Sequence, residues 1–232
     1  MILISFLIPT RKRLSKLIYC LECINSQKNV EEIEVILRLD LDDKESQNIL
    51  QYSYNFKLKI IIGTRGQGYK ELYKYYNECA FISSGKYLLM WNDDANFKTK
   101  NWFDKFNSRI LKDQTESPNN EYSYWFAGTP TTEYFSDGSK RYRDWPCFIA
   151  LNRKSFKKLG FYSMHTLSDT FLYHILEPID LFRKIDNIYI DHVAAINMKN
   201  EDKDNISQDS SNNYKHNFDF NFIEICKNNL KQ

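Results

Sequence analysis

The chain has no apolar run of the roughly 20 residues needed to span a bilayer, so no transmembrane segment is expected. It also lacks an excess of either charge. Lys and Arg number 32 against 30 Asp and Glu, for a formal net charge of +2. Without a strongly basic face, no nucleic-acid partner is predicted. Arg11-Lys12-Arg13 is the only tight basic cluster and is too short for a polyanion arm. The five cysteines (20, 23, 79, 147 and 226) are odd in number and show no repeated spacing. Cys20 and Cys23 fall inside a helical apolar pattern, so buried thiols in a reducing cytoplasm, in solution or at the periphery of a membrane, are expected rather than disulfides. Internal repeats are absent. Glycine is missing from the segment after the first apolar run, Pro9-Thr-Arg-Lys-Arg13. That argues against a nucleotidyltransferase, which would carry a Gly-rich phosphate loop there.

What the chain does have is an ordered alternation of strands and helices. Ile2 to Ile8 is nearly all apolar and closes on Pro9. It has neither the preceding basic region nor the small-residue cleavage site of a signal peptide, and it reads as a first strand buried on both faces. Leu14, Leu17, Ile18, Leu21 and Ile24 then recur at helical spacing. Strands are expected at Glu34 to Leu39 and Lys57 to Ile62, and a helix through Leu72, Tyr75, Tyr76, Cys79 and Ile82. The order predicts an α/β fold with a largely parallel, doubly wound sheet. Right-handed crossovers gather Pro9, Asp40, Gly63 and Asp94 along one rim.

The second half is mixed. A helix is expected through Trp102, Phe103, Phe106 and Ile110, and strands over Tyr122 to Phe135 and Lys140 to Ile149 around a Ser136-Asp-Gly-Ser139 turn. Gly160 should stop a short helix, and Leu167 to Phe182 reads as a helix that Pro178 breaks or kinks. Ile188 to Val193 reads as a last strand, Lys199 to Asn217 as a polar loop, and Phe218 to Leu230 as a packing helix. Residues 1–100 thus form one half of a domain, 101–198 a smaller mixed half, and 199–232 a loop and helix.

The chemistry concentrates in Lys86-Tyr-Leu-Leu-Met-Trp-Asn-Asp-Asp-Ala95. A buried strand ends there in an amide and two carboxylates. Burying unpaired charge is costly, so such a cluster belongs at the mouth of a parallel sheet, where ligands bind. Its hard oxygen ligands suit Mn²⁺ or Mg²⁺ carrying a diphosphate. A plain polar turn accounts for the same residues.

Together these residues resemble the family-2 glycosyltransferases with the GT-A (Rossmann-like) fold. Ile4-Ser-Phe-Leu-Ile-Pro-Thr10 is similar to the family's opening strand, and Val35-Ile-Leu-Arg-Leu-Asp40 to its second, aspartate-terminated strand. Gly66-Gln-Gly68 and Asn77 resemble the turn and helix asparagine before the metal motif. Phe81 to Asp94 carries the family's Gly-x-Tyr-apolar pattern, with Asn92-Asp-Asp94 as a DXD-like motif whose first residue is Asn. Phe148 to Phe161 resembles the segment after the acceptor region, and Ser168-Asp169 takes the place of the family's Glu-Asp pair. Tyr75-Tyr76-Asn77 replaces the usual Ala-Arg-Asn, and Asp40 is followed by Leu41 rather than the common Asp-Gly-Ser.

The resemblance implies a metal-dependent, inverting transferase that moves a sugar from a nucleoside-diphosphate donor, UDP by preference, to a glycan or other hydroxyl acceptor. Pro9, Thr10 and Arg11 would meet base and ribose, and Asp40 would read the base, its other role being a helix cap or turn acid. Arg65 would approach base or diphosphate unless it is a surface turn residue. Asp94 would be the direct metal ligand, with Asn92 assisting. Asp93 is counted with the donor-binding residues, yet strand alternation turns it away from the cleft. His192 would be a further metal ligand or a structural histidine. Asp169 would be the general base, or else cap its helix. Trp145, with Tyr142 and Phe148, would stack an acceptor sugar or serve as core. The alternative is an inactive GT-A-like domain that binds a nucleotide or carbohydrate.

Overall fold

The computed structural model describes residues 1–128, 131–134, 140–143, 146–191 and 218–232. Strand β1 (Ile4–Thr10) lies inside the sheet, and its alternation divides the core. Ile4, Phe6 and Ile8 pack on one face and Leu7 on the other. In β2 (Ile33–Asp40), Val35, Leu37 and Leu39 oppose Ile36; in β4 (Tyr87–Met90), Tyr87 and Leu89 oppose Leu88 and Met90. Burial on both faces is why these strands are nearly continuous apolar runs. Helices α1 (Leu14–Asn25) and α3 (Trp102–Glu116) cover the first face. The second is covered by α2 (Leu72–Ile82), α4 (Arg153–Leu159), α5 (Ser168–Leu176) and α6 (Phe220–Lys231).

Strand β3 (Lys57–Gly63) forms one edge, and β3, β2, β1 and β4 run parallel as the alternation predicts. Beyond β4 the sheet is mixed. Strand β9 (Pro146–Asn152) is antiparallel to both β4 and β6 (Ser123–Gly128). Strand β10 (Phe182–Asp191) returns parallel to β6, and the two-residue β5 (Asn96–Phe97) pairs antiparallel with β10. The sheet order is β3-β2-β1-β4-β9-β6-β10-β5. Strands β7 (Thr131–Tyr134) and β8 (Lys140–Arg143) form a separate antiparallel pair.

Three expectations are corrected. The strands expected over Tyr122 to Phe135 and Lys140 to Ile149 are each two, β6 and β9 joining the large sheet while β7 and β8 pair apart. The helix expected to reach Phe182 ends at Leu176, where Pro178 opens a 3-10 turn over Glu177–Ile179 and Asp180 turns left-handed at φ 57. Strand β10 therefore begins at Phe182, not Ile188, and its described part stops at Asp191. A register shift between Ile185 and Ile190, with Asn187 at φ 63, breaks the period-2 pattern that would have revealed it. Gly160 ends α4 at φ 80 as expected, and Asp219 caps α6 by accepting from the N–H groups of Asn221 and Phe222. The Ser136–Ser139 turn and residues 199–217 lie outside the described residues. Among the described residues no helix is long and apolar enough to cross a membrane.

Candidate functional site

From β1 the chain moves outward to β2 and β3, then returns to place β4 on the other side of β1. Helix α1 correspondingly covers one face and α2 the other. The carboxyl ends of β1 and β4 thus flank a topological switch point, the place where open α/β sheets bind ligands.

Four side chains meet there across more than 80 residues of sequence. Thr10 Oγ1 donates to Asp93 Oδ2 at 2.6 Å. Arg13 Nη1 donates to Asp93 Oδ1 at 3.0 Å and to Asp94 Oδ2 at 3.2 Å. Asp93 is only 4% exposed. Burial pushes its carboxyl above the usual range; Arg13 opposes this and Asp94 adds to it. Asp93 does not turn away from the site as alternation predicts. The strand ends at Met90, and a turn closed by Ala95 N–H on the Asn92 carbonyl swings both carboxylates toward Arg13. Trp91, just before them, is anchored in the core by Nε1 donating to the Ala95 carbonyl at 3.1 Å and by stacking on Phe97. Asn92 faces the other way and its Oδ1 accepts from the Tyr76 hydroxyl at 3.2 Å.

On the β2 side, Arg11 bridges Asp40 (2.9 Å) and Asp42 (2.6 Å). Asp40 also pairs with Arg38, which donates to the Thr64 carbonyl and to Glu78 and lies 4.4 Å from the centre of the Tyr75 ring. Asp40 is therefore an ion-paired strand-end acid rather than a helix cap. Pro9 sits in β1 opposite Arg38. Arg65 is exposed after β3, close enough to Asp42 to help hold that carboxyl low, and is not among the partners of Asp93.

Asp169 lies in the first turn of α5 and accepts from the Thr170 N–H at 2.7 Å. A hydrogen-bonded loop holds this turn against α2. Asn77 Oδ1 accepts from the N–H groups of Tyr162 and Ser163, while its Nδ2 donates to the Ser163 carbonyl. Thr166 Oγ1 donates to the Lys70 carbonyl. Burial raises the Tyr76 hydroxyl well above its ordinary range, with Tyr162, Tyr69, Asp169 and Asp93 adding to the effect. Tyr76 thus stands within electrostatic reach of both Asp93 and Asp169.

Trp145 and His192 lie outside the described residues. Phe148 is buried against Trp91 at a ring separation of 4.7 Å, so it is core and presents no face to a sugar. Sequence reasoning missed Arg13, Arg38 and Tyr76. Arg13 had a signal in the isolated basic cluster, and Arg38 in its two-residue spacing from Asp40; Tyr76 reads as core alone. Among the described residues, no three His, Cys, Asp or Glu groups converge to cage a metal. Mg²⁺ is commonly held by one or two carboxylates with substrate phosphates completing its shell, and the Asp93–Asp94 pair fits that donor set.

No protein-family model and no curated protein matches the chain. Solved structures do. S. aureus TarS matches with a TM-score of 0.59 and 14% identity, over 83% of this chain and 37% of that one. TarS 1–349 in complex with UDP matches at 0.58 and 16%, over 81% and 60%. The mannosyltransferase PcManGT from Pyrobaculum calidifontis, in complex with GDP-Man and Mn²⁺, matches at 0.57 and 12%, over 82% and 56%. The chain therefore spans between 37% and 60% of the length of these proteins. At such identities the likeness concerns architecture, and the architecture is the GT-A, Rossmann-like glycosyltransferase fold.

Proposed function

We propose that the chain is a glycosyltransferase of the hexosyl-transfer type, using a nucleoside-diphosphate sugar, UDP first among the bases, and a hydroxyl acceptor such as a glycan. The observation that carries this reading is the acidic pair Asp93–Asp94 at the switch point between β1 and β4. Neighbours of the same fold have been solved with UDP, with UDP-GlcNAc and with GDP-Man and Mn²⁺.

In this reading Asp94 is the metal ligand and Asp93, fixed by Thr10, stands behind it. Mn²⁺ or Mg²⁺, when bound there, would offset the charge that develops on the departing diphosphate. Arg11, Asp40 and Arg65 line the base side of the same rim, and Pro9 and Asn92 shape it. His192 is proposed as a further ligand and Trp145 as an acceptor contact. Asp169 acts as general base: it takes the acceptor hydroxyl's proton as that oxygen bonds to the anomeric carbon, and the carbon–phosphate-oxygen bond breaks on the opposite face. Attack from the side away from the leaving diphosphate inverts the anomeric centre. Buried thiols at Cys20, Cys79 and Cys226 suit a reducing cytoplasm.

A thermal-shift screen over UDP-sugars and GDP-mannose, with and without Mn²⁺, tests the site, since a ligand that binds only the folded state raises its melting temperature. A metal-dependent shift is expected, lost in Asp94→Asn and kept in Asp169→Asn. Turnover, read as donor hydrolysis or transfer, should fall in both by about a hundredfold or more. Unchanged turnover in both variants would falsify the assignment. The Asp169–Thr170 hydrogen bond and the neutral Asn92 favour a second reading, a binding domain without activity. Nucleotide binding with no hydrolysis or transfer would select it.

A further inference from the structure

The Arg11-Lys12-Arg13 cluster has no partner in the sequence reading, and the fold supplies one for each arginine. Lys12 sits at φ 52, and its N–H donates to Asp43 Oδ2 at 2.7 Å. That left-handed residue sends its neighbours to opposite sides of the β1 end. Arg11 reaches Asp40 and Asp42, and Arg13 reaches Asp93 and Asp94. The Arg13 side chain is 11% exposed and those of Asp93 and Asp94 are 6% and 8%. Charges so far removed from water depend on one another, because taking away one partner leaves another buried and uncompensated.

We propose that Arg13 is the resident counter-ion of the donor site. It pairs with Asp93 and Asp94 in the absence of ligand and moves its grip from Asp94 to the donor's diphosphate when a divalent cation engages Asp94. The inference rests on the function proposed above. Asp93 stays with Arg13 through the exchange because Thr10 fixes its other oxygen at 2.6 Å. Asp94, the more distant partner of Arg13, is the one released. A planar guanidinium can bond a carboxylate and a phosphate from one position, which an ammonium does less well. A cation arriving alone must compete with Arg13, and a diphosphate arriving alone must face two carboxylates. Arriving together, they exchange partners with Arg13, and each offsets the charge that would oppose the other. Cation and nucleotide should then bind with positive coupling, each strengthening the other by the same factor.

The test compares the full chain with Arg13→Met, Arg13→Gln and Arg13→Lys. Mn²⁺ binding without nucleotide is followed by electron paramagnetic resonance, and UDP and GDP binding at saturating Mn²⁺ by calorimetry. Mn²⁺ alone should bind R13M and R13Q about tenfold more tightly than wild type or R13K, while either nucleotide binds those two variants about tenfold more weakly. Changes of opposite sign do not arise from a general loss of packing. Adding Asp94→Asn to R13M should cancel the gain in Mn²⁺ affinity. If one neutral variant fails to fold, the other carries the comparison against R13K. Equal or weaker binding of Mn²⁺ alone to the neutral variants overturns the proposal. Wild type that binds neither nucleotide with Mn²⁺ overturns the functional reading instead, and the Mn²⁺-only comparison still decides the role of Arg13.

Discussion

Replacing Glu34 by Gln should remove an acid-sensitive part of the protein's stability. Glu34 is fully buried at the amino end of β2, where its two oxygens face only donors. Oε2 accepts from Ser5 Oγ at 2.7 Å and from the Ser84 N–H at 2.6 Å. Oε1 accepts from Ser84 Oγ at 2.9 Å and pairs with Lys59 at 2.8 Å and Lys57 at 3.4 Å. Burial alone would raise this carboxyl, but Lys59, Ser5 and Ser84 outweigh it and hold the pKa at about 2, below the ordinary 4.5. A folded value below the unfolded one means the contribution is complete above the unfolded pKa and is lost as pH falls through the folded one. The size at neutral pH is about 3 kcal/mol, of which about 2 should be gone near pH 3. Urea melts of wild type and E34Q at several pH values measure the difference directly, because other titrating groups are common to both. The gap should narrow steadily below about pH 4.5. A gap that stays constant from neutral pH to about pH 3 would refute the reasoning.

Gly85→Ala should destabilise the same corner by about 2 kcal/mol or more, since a Cβ there meets Ser5 N at 2.7 Å and Ile4 C at 2.9 Å, which are backbone atoms and cannot step aside. Equal denaturation midpoints would contradict this. Asn77→Ala strips three hydrogen bonds from residues 162–163 and should lower stability by about 2 kcal/mol, with Asn77→Asp recovering part through its acceptor oxygen. Hydrogen exchange at the Tyr162 and Ser163 amides should rise selectively in the alanine variant. Tyr162→Phe leaves the Met90 N–H and the Ile149 carbonyl without their side-chain partner and should cost about 1 to 3 kcal/mol by chemical denaturation.

The parallel half was legible because strands buried on both faces announce themselves as apolar runs: Ile4–Thr10 and Tyr87–Met90 appear in the sequence much as they pair in the sheet. The mixed half was less so. Strand β10 carries Arg183, Lys184, Asp186 and Asn187 through a bulge, so neither composition nor period marks its first half. β5 is too short to have a period. At the site, the acidic motif and the rim were readable, and the orientation of Asp93 was not. Alternation holds only while the strand lasts, and the polar turn that Asn92-Asp-Asp94 also allows does not say to which side it swings its carboxylates. The contacts of Arg13 require β1 to lie beside β4, skipping the two intervening strands, which no local pattern encodes.

That adjacency also bears on Asn92, which departs from the acidic residue usual at its place in the family it resembles. One guanidinium already faces two carboxylates, and Asp93 is buried enough for its own charge to be disfavoured. A third carboxylate at position 92 would add like charge next to Asp93, and it would replace an amide oxygen that accepts from the neutral Tyr76 hydroxyl. The Asn92 amide oxygen takes that hydroxyl without adding charge. The neutral residue adds no further negative charge beside the buried acidic pair that Arg13 holds, so its presence alone is no sign that binding capacity has been lost.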